Sequence, residues 1–231
     1  MKILPIASLH SVSVRRSGFS LIEVVLAIGI FLVTVLALVG LLGPTLQSVD
    51  EVEKTDEIAS VVNTVNAFLQ NSPDIAPNGS KFDSIYNAVA DQNFATIFVF
   101  RKYTTAASSD VELEVGFVSG EVGVDSTSTV ANTDFSNAAG PIYRVVLTPS
   151  SVLPAPAGDE EKYRSAVRST STGTYTLNAS LADYEEGYFA MEVRIFAEDP
   201  PGPSGNFNAT TDLEALKDVE PIFTYNTAVV R

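Results

Sequence analysis

The sequence predicts an α+β chain, with one long N-terminal helix ahead of an antiparallel, strand-rich domain. Three observations carry this. Residues from Val24 to Gly43 are apolar apart from Thr34. Beyond them, apolar residues recur at spacings of three and four as far as Leu69, which is one face of a helix. From Thr96 onward, β-branched and aromatic residues gather in short runs, several of them alternating. A helix followed by strands is a segregated layout, in which the sheet covers the apolar stripe of the helix.

The apolar run comes first. Twenty residues at about 1.5 Å each give roughly 30 Å, the thickness of a hydrocarbon core. Basic Lys2, Arg15 and Arg16 precede it, and acidic Asp50, Glu51 and Glu53 follow. This bias places the N-terminus in the cytoplasm and the bulk of the chain outside.

Leu46, Val49, Val52, Ile58, Val61, Val62, Val65, Phe68 and Leu69 then form the helical stripe, opposed early by Asp50, Glu51, Glu53, Asp56 and Glu57. The helix is expected to end near Gln70, before Asn71-Ser72-Pro73. Gly40, Gly43 and Pro44 punctuate its middle. Pro44 removes a backbone donor, so a kink or a locally melted stretch is expected there.

Asp74 to Gln92 is turn-rich, with room for a short helix around Phe82 to Val89. Strands are expected over Thr96–Tyr103, Val111–Phe117, Pro141–Leu147, Thr174–Asn178, Tyr188–Phe196 and Pro221–Val230. In the second, Val111, Leu113, Val115 and Phe117 share one face. In the fifth, Phe189, Met191, Val193 and Ile195 do. Asp125–Gly140 and Asp199–Asn206 read as loops.

The junction into the apolar run is the most specific motif. Arg15-Arg16-Ser17-Gly18-Phe19-Ser20-Leu21-Ile22-Glu23 puts a carboxylate at the mouth of a membrane-length segment. Holding a charge at or inside lipid costs a few kcal/mol, so Glu23 calls for a partner. This stretch resembles the signal and N-terminal helix of type IV pilins and type II secretion pseudopilins. In that family a basic leader ends in Gly, Phe follows, Glu is fifth, and about twenty apolar residues come next. Gly18, Phe19 and Glu23 match, Arg15 and Arg16 suit the leader, and the likeness covers about fifty of 231 residues. The wording around Glu23 is similar to that of minor pilins and of I- and V-type pseudopilins.

The resemblance implies a pilin-like fold and a sequence of events. A prepilin peptidase and methyltransferase cuts between Gly18 and Phe19 and methylates the new Phe19 amine. An inner-membrane assembly platform then builds the subunit into a filament with other pilin or pseudopilin subunits. Glu23 sets the axial register by pairing with the Phe19 amine of another subunit, since opposite charges in low dielectric attract strongly and an unpaired one is penalised. The implied organisation is a cytoplasmic leader over 1–18, a membrane and filament-core helix over 19–43, an amphipathic helix over 44–70 and a periplasmic globular domain over 71–231. The implied place is the bacterial inner membrane, crossed once, and later a periplasmic or cell-surface filament.

Other readings of the N-terminus explain less. A secretory signal peptide has a shorter apolar core and a small-residue cleavage site, and Leu42-Gly43-Pro44-Thr45-Leu46 offers no such pattern. A signal-anchored periplasmic binding or enzymatic domain accounts for the span and the charge bias. It leaves the Gly18-Phe19 junction unexplained, and leaves Glu23 only to snorkel to the headgroups.

Composition narrows the function further. The chain carries 28 acidic and 14 basic residues, a formal charge of −14, and loss of the three leader cations takes it to −17. So acidic a chain is poorly matched to nucleic acid, whose binding rests on Lys and Arg. There is no Cys or Trp, and the one His is His10 in the leader. The remainder therefore lacks a Ser-His-Asp triad, a Cys-His pair and a thiolate or imidazole zinc site. No enzyme and no cofactor is expected. Calcium is the one ion to consider, at Asp159-Glu160-Glu161, Asp183-Tyr184-Glu185-Glu186 or Asp212-Leu213-Glu214. None of these has the spacing of a calcium loop, and a solvated acidic surface is the simpler reading. Tyr175, Tyr184, Tyr188 and Phe189 read as sheet and core residues. Asn78-Gly79-Ser80, Asn178-Ala179-Ser180 and Asn208-Ala209-Thr210 match a glycosylation pattern too short to carry weight.

Overall fold

The computed structural model describes residues 18–231 except 77, 106–108, 119–127, 132, 156–157 and 202–204. Helix α1 runs from Leu21 to Gln70. The chain divides into two compact units that part between Lys54 and Thr55.

The first unit holds the apolar half of α1. Leu21–Gly43 forms 23 residues of helix with a mean hydropathy of 3.0 and none of that surface buried. Its length is enough to cross a bilayer. Thr34 fits this surface because its hydroxyl donates to the carbonyls of Ile30 and Phe31, at 3.0 and 2.8 Å. The melted stretch expected near Pro44 is not found, for helical structure continues from Gly40 through Pro44 to Gln70. A proline here frees one carbonyl, that of Gly40. On the next turn the Thr45 hydroxyl donates to Leu41 and Leu42.

The second unit is α+β. The end of α1 buries Val61, Val65, Phe68 and Leu69, and Phe68 meets Phe117 of the sheet at 5.5 Å between ring centres. Ile58 and Val62, on the same stripe, are only half-buried. A short α2 (Ser72–Ile75) leads to α3 (Lys81–Gln92). Ser80 caps α3 by accepting the Asp83 amide, and Asn93 ends it in the left-handed region at φ 62°. Phe82, Ile85, Tyr86, Ala88 and Val89 face the core.

Six strands follow: β1 (Ala95–Tyr103), β2 (Val111–Val118), β3 (Thr129–Val130), β4 (Ile142–Pro149), β5 (Tyr188–Glu198) and β6 (Phe223–Val230). Their order across the sheet is β3-β2-β1-β4-β5-β6. The sheet is not wholly antiparallel as expected, because β3 pairs with β2 in parallel. The contact is close: a Cβ on Gly116 would lie 2.8 Å from the Ser128 carbonyl oxygen.

The inner face is the main core, where Ile97, Val99, Val145, Leu147 and Val193 meet α1 and α3. Phe189, Met191, Val193 and Ile195 share this face and are fully buried, as their alternation predicts. The outer face is covered too. Phe98, Phe100 and Ile142 pack with Phe135, and Val146 and Phe196 pack with Leu213 of the one-turn helix α4 (Leu213–Leu216).

Three expectations need correction. Thr174–Asn178 forms no strand, only a bridge between Leu177 and Arg164. Asp125–Gly140 is not wholly loop, since it contains β3 and a 3₁₀ turn at Phe135–Asn137, while 125–127 lies outside the described residues. Of the four β2 residues expected to share a buried face, only Phe117 is fully buried, Val115 is half-buried, and Val111 and Leu113 are exposed.

Candidate functional site

The helix start is built from Gly18, Phe19 and Ser20, which precede the first turn of α1. Phe19 is 87% exposed. The Ser20 carbonyl accepts the amides of Glu23 and Val24, at 3.0 and 3.2 Å. The Glu23 carboxylate reaches back and accepts the Ser20 amide at 3.1 Å. This is half of a capping box, Ser-x-x-Glu, in which the third residue of the helix satisfies the amide of the residue that opens it. A carboxylate in the first turn also opposes the positive end of the helix dipole, worth about 0.3–1 kcal/mol when exposed. Glu23 therefore has a partner within its own chain. Ser20-Leu21-Ile22-Glu23 carries that signature openly, yet reading the carboxylate only as a buried charge misses it. Arg15 and Arg16 lie outside the described residues.

Two of the acid clusters considered for calcium make contacts within the fold. Asp212 caps α4 by accepting the amides of Glu214 and Ala215. Asp183 accepts the Ser180 hydroxyl at 2.6 Å, and Glu185 pairs with Lys162 at 2.9 Å. Asp159, Glu160 and Glu161 are exposed. Among the described residues, no three acidic side chains converge as a metal site would require.

Among the described residues, Arg144 is heavily hydrogen-bonded and buried on the outer face of β4. Its guanidinium grips both oxygens of Glu198 on β5. It also donates to the carbonyls of Asn208 and Ala209, at 2.6 and 3.1 Å, and to the Thr211 hydroxyl at 3.1 Å. Phe98 and Phe207 lie 4.9 and 5.6 Å from its centre. With its donors directed at protein acceptors, Arg144 ties the 207–211 segment to the sheet.

A second cluster joins Arg168 and Glu192 in a two-pronged pair, with Arg194 Nε 3.6 Å from Glu192. Burial holds the Arg194 guanidinium below its ordinary pKa. Tyr175 is not a sheet residue as expected. Its ring lies between Arg164 and Arg168, at 4.4 and 4.7 Å. At the far end of β1, Lys102 meets Glu114 at 2.7 Å and Asp134 at 3.2 Å, which raises its pKa.

Tyr184 and Phe189 are core residues, as expected, and Tyr86 and Tyr163 join them. Burial pushes the Tyr86 and Tyr184 phenols well above their usual range. Tyr143 is raised by burial and by a hydrogen bond to Glu57 beside a cavity of about 60 Å³. That space admits a few waters, far from the few hundred Å³ of an ordinary ligand site.

No family model, curated relative or solved structure matches the chain.

Proposed function

We propose that this chain is a pilin-like structural subunit, inserted in the bacterial inner membrane by α1 with its globular domain in the periplasm. A prepilin peptidase trims it between Gly18 and Phe19, and it is then assembled as a minor pilin or pseudopilin. The observation that carries the reading is a fully exposed apolar helix, Leu21–Gly43, that begins directly behind an exposed Phe19 and a Glu23 in its first turn. An apolar surface of that extent requires lipid or neighbouring helices. A filament core of parallel helices supplies the second once the helix leaves the first.

Intact-mass measurement of the membrane-extracted protein tests this. The expected N-terminus is Phe19, carrying one methyl group. A chain that begins at Met1, or at any residue other than Phe19, overturns the reading.

One observation favours the rival, a signal-anchored periplasmic domain. The Ser20–Glu23 hydrogen bond gives the carboxylate a role in starting the helix that requires no second subunit. An uncut, monomeric membrane protein is the outcome that reading expects.

A further inference from the structure

Between β4 and β5 the chain makes an excursion that carries its own hydrogen bonds. The Ser165 amide donates to the Thr176 carbonyl at 2.8 Å, and the Thr176 amide returns to the Ser165 hydroxyl at 3.0 Å. Nearer the tip, the Ser169 amide donates to the Thr174 carbonyl and the Gly173 amide to the Ser169 carbonyl, at 2.8 and 2.9 Å. Residues 165–176 thus form a strap that holds its shape from within. Among the described residues, two long side chains bond its tip to the rest of the domain. The Lys217 ammonium donates to the Thr170 carbonyl, and Arg168 on the strap grips Glu192 on β5.

Glu192 is the buried member of that pair, with 10% of its side chain exposed against 40% for Arg168. It has a second cation at hand. Arg194 stands two residues along β5, on the same outer face. Its Nε lies 3.6 Å from Glu192 Oε1, close enough for attraction and too far for a hydrogen bond. Nε and Nη2 of Arg194 are buried and bond to no described residue. Unbonded buried donors are costly, and the carboxylate beside these two is already taken by Arg168.

We propose that Glu192 is a shared counter-ion and that the strap is a latch with two states. In the closed state, which the structure shows, Arg168 holds both oxygens and Arg194 goes without. In the open state the strap lifts, and Glu192 turns to Nε and Nη2 of Arg194. Breaking a buried ion pair ordinarily strands a charge at a large cost. The second arginine removes that cost, because Glu192 is paired in either state. Arg168 is not stranded either. It is the more exposed partner, and it keeps the Gly173 carbonyl at 3.0 Å and the Tyr175 ring at 4.7 Å, both within the strap. Opening exchanges one pair for another, so the two states lie close in free energy. It frees the strap from β5 and leaves the main core, on the other face of the sheet, as it is.

The test is a double-mutant cycle on the full chain in detergent, read by urea unfolding. Arg168→Ala alone should lower the folded-to-unfolded ratio less than about tenfold, because Arg194 takes over the carboxylate. Arg194→Met alone should lower it no more than that, since Arg168 keeps its pair. Together they strand Glu192, and should lower the ratio at least about a hundredfold beyond the product of the two. Adding Glu192→Gln should recover most of this loss, which covers the case of a double variant that does not fold. Release of the strap is read separately. The chain has no cysteine, so Ser171→Cys gives a single site for a nitroxide label. Label mobility should rise in Arg168→Ala and stay at the parent's level in Arg194→Met.

Single effects that merely multiply overturn the proposal. So does a hundredfold loss from Arg168→Ala alone, because Arg194 then fails to take the carboxylate. A double variant that Glu192→Gln does not rescue, or a label that Arg168→Ala leaves unmoved, overturns it as well. None of these readouts depends on cleavage at Gly18.

Discussion

The Glu23 carboxylate accepts the backbone amide of Ser20 at 3.1 Å. That nitrogen lies one residue beyond the position where cleavage would leave the Phe19 amine. The observed cap and the proposed charge pairing thus fall on one carboxylate, and substitution can separate them. Gln keeps the capping geometry and loses the charge. Glu23→Gln should insert in the membrane with α1 intact but fail to co-assemble with partner pilins. Glu23→Ala should fail likewise, and should also fray the first turn, at a cost of up to about 1 kcal/mol. Cross-linking of subunits in membranes reads assembly, and hydrogen exchange at residues 20–24 reads fraying. Normal assembly of the Gln variant would leave capping as the carboxylate's role.

The proposed cleavage makes a second demand. Gly18 has nothing within 4 Å of where a Cβ would stand, so a side chain there disturbs no packing. Gly18→Asp should therefore leave the fold unchanged and block trimming at the peptidase. On a gel the variant should run as the uncut chain. Trimming at the parent's rate would refute the assignment of this junction as the cut site.

Arg144 holds a loop and a strand together across the outer face of the sheet. Truncating it leaves the carbonyls of Asn208 and Ala209 without their donor and Glu198 without its fork. Arg144→Ala should cost about 3 kcal/mol, at the low end for a buried pair because Glu198 is partly exposed. Arg144→Lys should recover only part of this, since an ammonium cannot span both oxygens. Urea unfolding gives the magnitude, and faster proteolysis within 205–211 gives the location. A loss below about 0.5 kcal/mol would show that the segment is held by Phe207 packing instead.

The fold was legible where one side chain pattern sufficed. The end of α1 at Gln70 followed from Asn71 and Pro73, and the inner face of β5 from Phe189, Met191, Val193 and Ile195. What lay hidden depends on distant partners. Arg144 looks like an interruption of β4 until Glu198 and the 208–211 carbonyls, more than fifty residues away, are seen to enclose it. β3 is two residues long, and its place beside β2 depends on the missing side chain of Gly116. Thr174–Asn178 has strand-forming residues but finds a single bridge, and the Tyr175 ring packs against Arg164 and Arg168 instead of a neighbouring strand. At the candidate site the omission was different in kind. Ser20 and Glu23 stand three residues apart, the spacing of a capping box. The same carboxylate beside a membrane-length helix equally fits an ion pair, so the local cap emerges only from the Ser20 amide's geometry.

The tyrosine core sets a limit at high pH. Tyr225 of β6 is half-buried, with its hydroxyl donating to Asn66 Oδ1 at 3.3 Å, and burial pushes its pKa up to about 12. Tyr86, Tyr143 and Tyr184 are raised in the same direction, chiefly by burial. An unfolded tyrosine titrates near 10. The folded state thus holds these protons more tightly than the unfolded state. Their contribution to stability is complete below pH 10 and is lost as the pH climbs toward 12 and beyond. Denaturant midpoints should be level from pH 7 to 9 and should fall steeply above 10. Tyrosinate absorbance should rise together with unfolding rather than ahead of it for the buried group. Tyr86→Phe removes one such proton and the bond to the Ala179 carbonyl, so it should lower stability at pH 8 and flatten the alkaline decline. A midpoint that stays constant to pH 12 in the parent chain would mean that these phenols are not held protonated by the fold.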